Sequence, residues 1–213
     1  MTDKTARMVE RLRIVLANGL SLRDCRLVPE LAYGRHWGPP PPTARRSAVM
    51  ILLYRKQDTW HTVLTVRPEH LAAHGGQVCF PGGRLEPGES PEEAALREWQ
   101  EELGAGLRTP QYVGMLPELY VFNSDYRIIP CIYLANVVPR CLPNPAEVSQ
   151  ILEVPVAALA DPARRGRHWV QRGRLRFQAP HINWQGYYIW GATAILCELL
   201  ADRVQRALGD DAG

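Results

Sequence analysis

The stretch Ser90-Pro91-Glu92-Glu93-Ala94-Ala95-Leu96-Arg97-Glu98-Trp99-Gln100-Glu101-Glu102-Leu103-Gly104 reads as a helix marked at both ends. Ser90 can cap the first amides, Pro91 suits the first helical position, and Glu93 completes a capping box. Gly104 predicts a left-handed C-terminal cap. At about 100° per residue, Glu98, Glu101 and Glu102 fall within an arc of roughly 100°. Ala94 shares that arc and leaves room for something to approach. Leu96, Trp99 and Leu103 lie opposite and predict the buried face.

Carboxylates at i, i+3 and i+4 repel one another unless a cation lies between them. Hard divalent ions such as Mg²⁺ favour such oxygen clusters and engage substrate phosphates. Taken alone, the string also fits an acidic, exposed helix face. Its surroundings tip the balance. Pro81-Gly82-Gly83 precedes it, and glycine lets backbone approach a metal or phosphate closely. Glu89 stands just before the cap, and Arg97 is placed to hold either Glu89 or a helix glutamate.

The string Gly83, five residues, Glu89, seven residues, then Arg97-Glu98-Trp99-Gln100-Glu101-Glu102-Leu103-Gly104 resembles the signature box of the Nudix hydrolases. Every charged and glycine position of that pattern is present, and Trp99 and Ala105 fill its two aliphatic slots. The resemblance implies an α/β fold, the Nudix-type α/β/α sandwich with a mixed central β-sheet. It implies Mg²⁺ or Mn²⁺ as cofactor, with Glu98, Glu101, Glu102 and the Gly83 carbonyl as ligands. Glu89 and Arg97 become the pair that supports the site.

Diphosphate hydrolysis needs charge neutralisation and an acceptor for the proton of the attacking water. Glu101 or Glu102 can take that proton. Glu147, in Pro145-Ala146-Glu147-Val148, is the candidate from outside the helix, and an exposed loop glutamate is its plain alternative.

The upstream segment Val63-Leu64-Thr65-Val66-Arg67, with His74, Gln77 and Phe80-Pro81-Gly82-Gly83, resembles the extra motif of the coenzyme A pyrophosphatase branch. Glu147-Val148-Ser149 and Ile189-Trp190-Gly191-Ala192-Thr193-Ala194 are similar to that branch too. Pro68 and Ala72 depart from it, where the branch has a small residue and a cation. The implied reaction splits coenzyme A or a derivative into 3′,5′-ADP and 4′-phosphopantetheine or its acyl form. Arg67, His74 and Gln77 are the implied substrate-binding residues. A salt bridge, a loop-pinning bond and satisfaction of loop backbone are their respective structural alternatives. Two other readings stand beside this one: action on another nucleoside diphosphate derivative, or a non-catalytic module that senses a nucleotide.

Outward from the helix, Ala48 to Tyr54 is continuously apolar and predicts a buried strand. Thr62 to Val66 predicts its hairpin partner across Lys56-Gln57-Asp58. Further strands are expected at Gln111 to Leu116, Ile128 to Leu134 and Ile151 to Val156, and a hairpin at Arg167 to Phe177. Short and long amphipathic helices are expected at Met8 to Leu16 and Ala192 to Leu208. Residues 1–43 read as a helix and a lead-in ending in Pro39 to Pro42, and residues 44–213 as a single domain.

At 213 residues, 46% apolar and 22% charged, the chain suits one globular unit. A net charge of +3 gives no electrostatic case for wrapping nucleic acid. No apolar run is long enough for a membrane span. Five widely spaced cysteines without a CxxC pair fit reduced thiols and a cytoplasmic setting. The expected partner is a small nucleotide substrate, neither nucleic acid nor membrane, with room for a homodimer.

Overall fold

A computed structural model describes residues 3–18, 22, 25–28, 39–70, 75–104, 106–107 and 109–209. The strand at the centre of the chain's organisation is β1 (Arg45–Lys56), which explains why its sequence is apolar without alternation. Ala48, Met50, Leu52 and Tyr54 enter one buried cluster, while Ile51 and Leu53 enter another on the opposite face. A strand covered on both faces has no solvent side to mark.

The neighbours of β1 build a mixed sheet. β2 (Thr59–Val66) returns antiparallel, and Gln57 and Asp58 both take positive φ between them, as a two-residue hairpin with matching twist requires. β7 (Tyr126–Ala135) lies parallel to β1 over ten residue pairs, from Arg45 beside Tyr126 to Tyr54 beside Ala135. Three-residue β4 (Gly82–Arg84) runs antiparallel to the start of β1. β3 (Val78–Cys79) and β8 (Gln150–Pro155) pair with β2, while β5 (Gln111–Met115) and β6 (Leu119–Val121) pair with β7.

Helices cover both faces. α2 (Pro91–Leu103) packs Ala95, Trp99 and Leu103 with Met50, Leu52, Tyr54 and Tyr133. On the other face lie α1 (Asp3–Ala17), α3 (Val156–Ala160) and α4 (Gly191–Gly209), with Leu12, Leu159, Leu196 and Leu200 fully buried or nearly so. The buried guanidinium of Arg203 donates to the carbonyl of Val15 at 3.0 Å and ties α4 to α1. This is the expected α/β layering around a mixed sheet.

The expected hairpin near Arg167 is the start of a separate three-stranded sheet. β9 (Arg165–Arg172), β10 (Leu175–Trp184) and β11 (Tyr187–Trp190) follow one another antiparallel. Gly173 turns the first hairpin at positive φ, and Gln185 with Gly186 turn the second. Glu198 of α4 joins this sheet to the segment after α1. It accepts from Arg165 at 2.9 Å and from the amides of Arg26 and Leu27 at 2.8 and 3.0 Å. No helix of the described residues is long and apolar enough to cross a membrane.

Candidate active site

The chemistry-bearing helix starts as its sequence predicts. The Glu93 amide donates to Ser90 Oγ at 3.2 Å, and the Ser90 amide donates to the Glu93 carboxylate at 2.9 Å. Its C-terminus differs from the expected left-handed cap. Gly104 has φ 77° and ψ 173°, a region only glycine enters readily, and Leu142 packs where a Cβ would stand.

The buried face is also rotated from expectation. Leu96 is 38% exposed, whereas Glu102 is 3% exposed and Ala94 and Ala95 are fully enclosed. The helix therefore presses part of its carboxylate face against the sheet. The cause lies in β4, whose two glycines have no side chain to hold the helix away. The Gly82 amide donates to Glu102 Oε1 at 3.3 Å. At Gly83 a Cβ would collide with the carboxylate of Glu98, and at Gly82 it would collide with the backbone of Ala48 and Val49.

Arg97 distributes its guanidinium among the neighbouring acids. Nε and Nη2 donate to the two carboxylate oxygens of Glu89 at 2.8 and 3.0 Å, a fork that fixes both groups. Nη1 donates to Glu98 at 2.8 Å and Glu101 at 3.2 Å, and Nη2 also reaches the Arg84 carbonyl at 3.0 Å. The Arg97 bond, helped by the Glu86 amide, holds the Glu89 carboxyl below its usual range. Glu98 and Glu102 thus face β4, while Glu101 is turned outward, its side chain 51% exposed.

Burial is the largest influence on both inward acids. It pushes Glu102 up to about 8, against the opposing Gly82 amide, and the charges of Glu98 and Glu147 add to the rise. The Glu98 carboxyl is raised by burial too, with Arg97 opposing and Glu101 and Glu147 adding. Glu102 Oε2 is buried without a hydrogen-bond partner. Such an orphaned oxygen, with the half-buried Glu98 carboxyl packed on the same two-glycine strand, is a donor set that fits a hard cation. Among the described residues no three acidic, histidine or cysteine side chains already converge on one point, and Arg97 bonds both Glu98 and Glu101.

Glu147 reaches this place through a contact the sequence did not reveal. The amides of Leu142 and Asn144 donate to the carbonyls of Leu103 and Glu102, each at 2.8 Å. These bonds satisfy two of the carbonyls that every helix end leaves open. Asn144 Nδ2 then donates to Glu147 at 3.4 Å, and the half-buried Glu147 acts electrostatically on both Glu98 and Glu102.

Beyond β4 lies a cleft of about 410 Å³. Arg67 and Gln77 line it, with their strand ends tied together by the Arg67 amide donating to the Gln77 carbonyl at 3.0 Å. Arg67 Nε is buried without a partner, and its charge reaches Glu102. His74 falls outside the described residues. Gly82, Gly83 and Arg84 form the wall shared with the carboxylates, and Phe122, Phe177 and Trp190 add apolar surface. Trp190, named from the sequence only as part of the segment Ile189 to Ala194, borders this cleft. Phe122 and Phe177 were not singled out, since only the fold brings the β6–β7 turn and β10 to one space.

The NUDIX domain family model matches residues 44–174. The chain is 33% identical over 168 residues to "Uncharacterized Nudix hydrolase NudL" of Yersinia pestis (strain Pestoides F), covering 76% of this chain and 81% of the relative. It is 32% identical over 139 residues to "Nudix hydrolase 3" of Caenorhabditis elegans, covering 64% of this chain but spanning only 57% of that longer protein. Among solved structures, the MutT protein from Methanosarcina mazei Go1 is a remote likeness, at 16% identity and TM-score 0.48 over 79% of this chain and 96% of that one. With a matching family model over most of its length and relatives of this similarity, the chain belongs to the Nudix hydrolase family.

Proposed function

We propose that this hydrolase cuts the pyrophosphate bond of coenzyme A or its acyl derivatives, giving 3′,5′-ADP and 4′-phosphopantetheine or its acyl form. The observation that carries the hydrolytic part is the buried, unpartnered Glu102 Oε2 beside Glu98 and the Gly82-Gly83 backbone. The coenzyme A part rests on the sequence pattern from Val63 to Gly83 and on the later segments at Glu147 and Ile189.

Glu98 and Glu102, with Gly83 and the adjacent Glu101, would hold Mg²⁺ or Mn²⁺. A bound divalent ion neutralises diphosphate charge and lowers the pKa of a water it holds. Arg97 keeps Glu98 and Glu101 oriented through its fork on Glu89. Arg67 offers its unpartnered Nε to a phosphate oxygen, and Gln77 stands beside it on the cleft wall. The bond from Asn144 and the electrostatic influence on both inward acids support Glu147 as the group that accepts a proton from the attacking water. Water adds to one phosphorus, the bridging P–O bond breaks, and the second phosphate leaves with that oxygen.

The test is a product assay with Mg²⁺ or Mn²⁺ on coenzyme A, an acyl ester and several other nucleoside diphosphate derivatives. Release of 3′,5′-ADP supports the reading. Turnover confined to other diphosphates removes coenzyme A as substrate and leaves the hydrolase standing.

A further inference from the structure

We propose that His168 and His181 form a pH-sensitive latch that holds the Phe177–Trp190 wall of the cleft at neutral pH and releases it in acid. The inference concerns the wall and does not depend on which diphosphate the cleft admits. The latch joins β9 to β10, where the two Nδ1 atoms face each other at 3.1 Å. In register, His181 stands between Gly166 of β9 and Trp190 of β11. A Cβ at Gly166 would collide with the His181 ring, so only glycine leaves the imidazole its place. Tyr188 stacks on His181 with ring centroids 4.0 Å apart, and Trp190 meets the His168 ring edge-on at 5.6 Å. Strand residues two or four apart share a face, so Phe177 lies on the side that carries His181. Phe177 and Trp190 then line the cleft.

Two imidazoles placed in this way need one proton between them. One ring donates and the other accepts, so the bond survives in the neutral pair and after one added proton. A second added proton sets two N–H donors against each other and brings like charges together. His181 is 6% exposed and His168 is half-buried, so solvent screens little of that repulsion. Burial holds both imidazoles below their usual value. A bond to the Ala179 backbone opposes this at His168, and the His168 charge adds to it at His181. The contribution of the pair is complete above the ordinary histidine range and is lost as the pH falls through the lowered values.

The surroundings offer no counter-charge. The chain has no Asp or Glu between Asp161 and Glu198, and among the described residues no carboxylate acts on either ring. Arg165 and Arg167 alternate to the other face of β9, where Glu198 of α4 holds Arg165. From β3, packed on β11, comes Cys79, whose thiol burial pushes up to about 11. Tyr188 presents a ring, and the cations lining the cleft are Arg67 and Arg84. Acid therefore parts the histidines, and the Trp190 ring that rests on His168 moves with them. The carboxylate helix packs on the larger sheet and is not part of this motion.

Fluorine NMR of the full chain carrying 5-fluorotryptophan, in Mg²⁺, reads the latch at the wall, with the Trp190 signal assigned from Trp190→Phe. That signal is expected to shift as the pH falls from about 7.5 to about 5, in step with the ring-carbon signals of His168 and His181. His168→Gln keeps a donor for His181 but cannot titrate, and is expected to abolish the histidine-linked shift. His181→Asn removes the partner and is expected to do the same, so either variant carries the comparison if thermal melts show that the other fails to fold. Glu102 also titrates within this span, and its effect is the part that wild type and variants share. A Trp190 signal indifferent to pH in the wild type overturns the proposal, as does a shift of equal size in wild type and variant.

Discussion

The Asn144 amide donates to the Glu102 carbonyl at 2.8 Å, so the last turn of the carboxylate helix and the loop bearing Glu147 move as one body. The Asn144 side chain extends that hold by bonding Glu147 and by accepting from the Ala146 amide at 3.2 Å. Replacing Asn144 by Ala keeps the backbone bond and frees Glu147. The expected result is a fall in kcat of about tenfold, within the span of a proton-accepting group that is loosened rather than lost. Mn²⁺ affinity, followed by electron paramagnetic resonance, should hardly change; an equal loss in both would argue against Glu147 as the proton acceptor.

Gly82 and Gly83 should respond differently to alanine. At Gly83 the new methyl meets the far end of the Glu98 side chain, which can swing off its Arg97 bond, so the melting temperature should stay within a few degrees while Mn²⁺ binding weakens by tenfold or so. At Gly82 it meets the backbone of Ala48 and Val49, so Gly82→Ala should lower stability by about 1–3 kcal/mol. Paired melts and metal titrations distinguish the two. Intact metal binding in Gly83→Ala would count against Glu98 as a ligand.

Glu102 makes the metal-free protein sensitive to pH. Folded, it keeps its proton up to about pH 8, whereas an unfolded carboxyl releases it near 4.5. Its contribution is complete at acid pH and is lost as the pH climbs through that window, because the unfolded chain then binds fewer protons. In chelator, stability should decline from about pH 5 to 8. Mg²⁺ should offset the decline, and Glu102→Gln should flatten it while lowering turnover by about a hundredfold or more. Urea titrations across that range provide the check; a flat profile in the wild type would contradict a buried, unpaired Glu102.

Arg97 is not replaceable by another cation. Lysine at this position keeps a charge but cannot bond both oxygens of Glu89 while reaching Glu98 and Glu101. Arg97→Lys is therefore expected to lose 10- to 100-fold in activity at subsaturating metal. Raising Mn²⁺ should recover much of it. Activity equal to wild type at low metal would show that the fork is dispensable.

The carboxylate helix was legible because its start and its spacing are local properties. Ser90, Pro91 and Glu93 act within one turn, and strand β1 declares itself by an unbroken apolar run. What could not be read depends on contacts between distant segments. The sequence suggests Leu96 as core, yet the helix is rolled so that Glu102 is enclosed, and the reason is the absence of side chains at Gly82 and Gly83. The docking of residues 142–144 on the helix end leaves no mark in composition, since backbone groups make it. Strand β4 is too short for a periodic signal, and β10 with β11 hides in a stretch whose turn, Gln185-Gly186, lacks a strong hairpin signature. The site string itself named Glu98, Glu101 and Glu102 together. Their differing exposure follows from Arg97 and β4, and no spacing rule contains it.

The far wall of the cleft comes from Phe177, Trp190 and the start of α4, beyond the residue-174 limit of the family match. Selection acting on that tail can reshape what is admitted without touching the carboxylate helix upstream. New appetites can therefore arise by remodelling the doorway while the blade stays as it was.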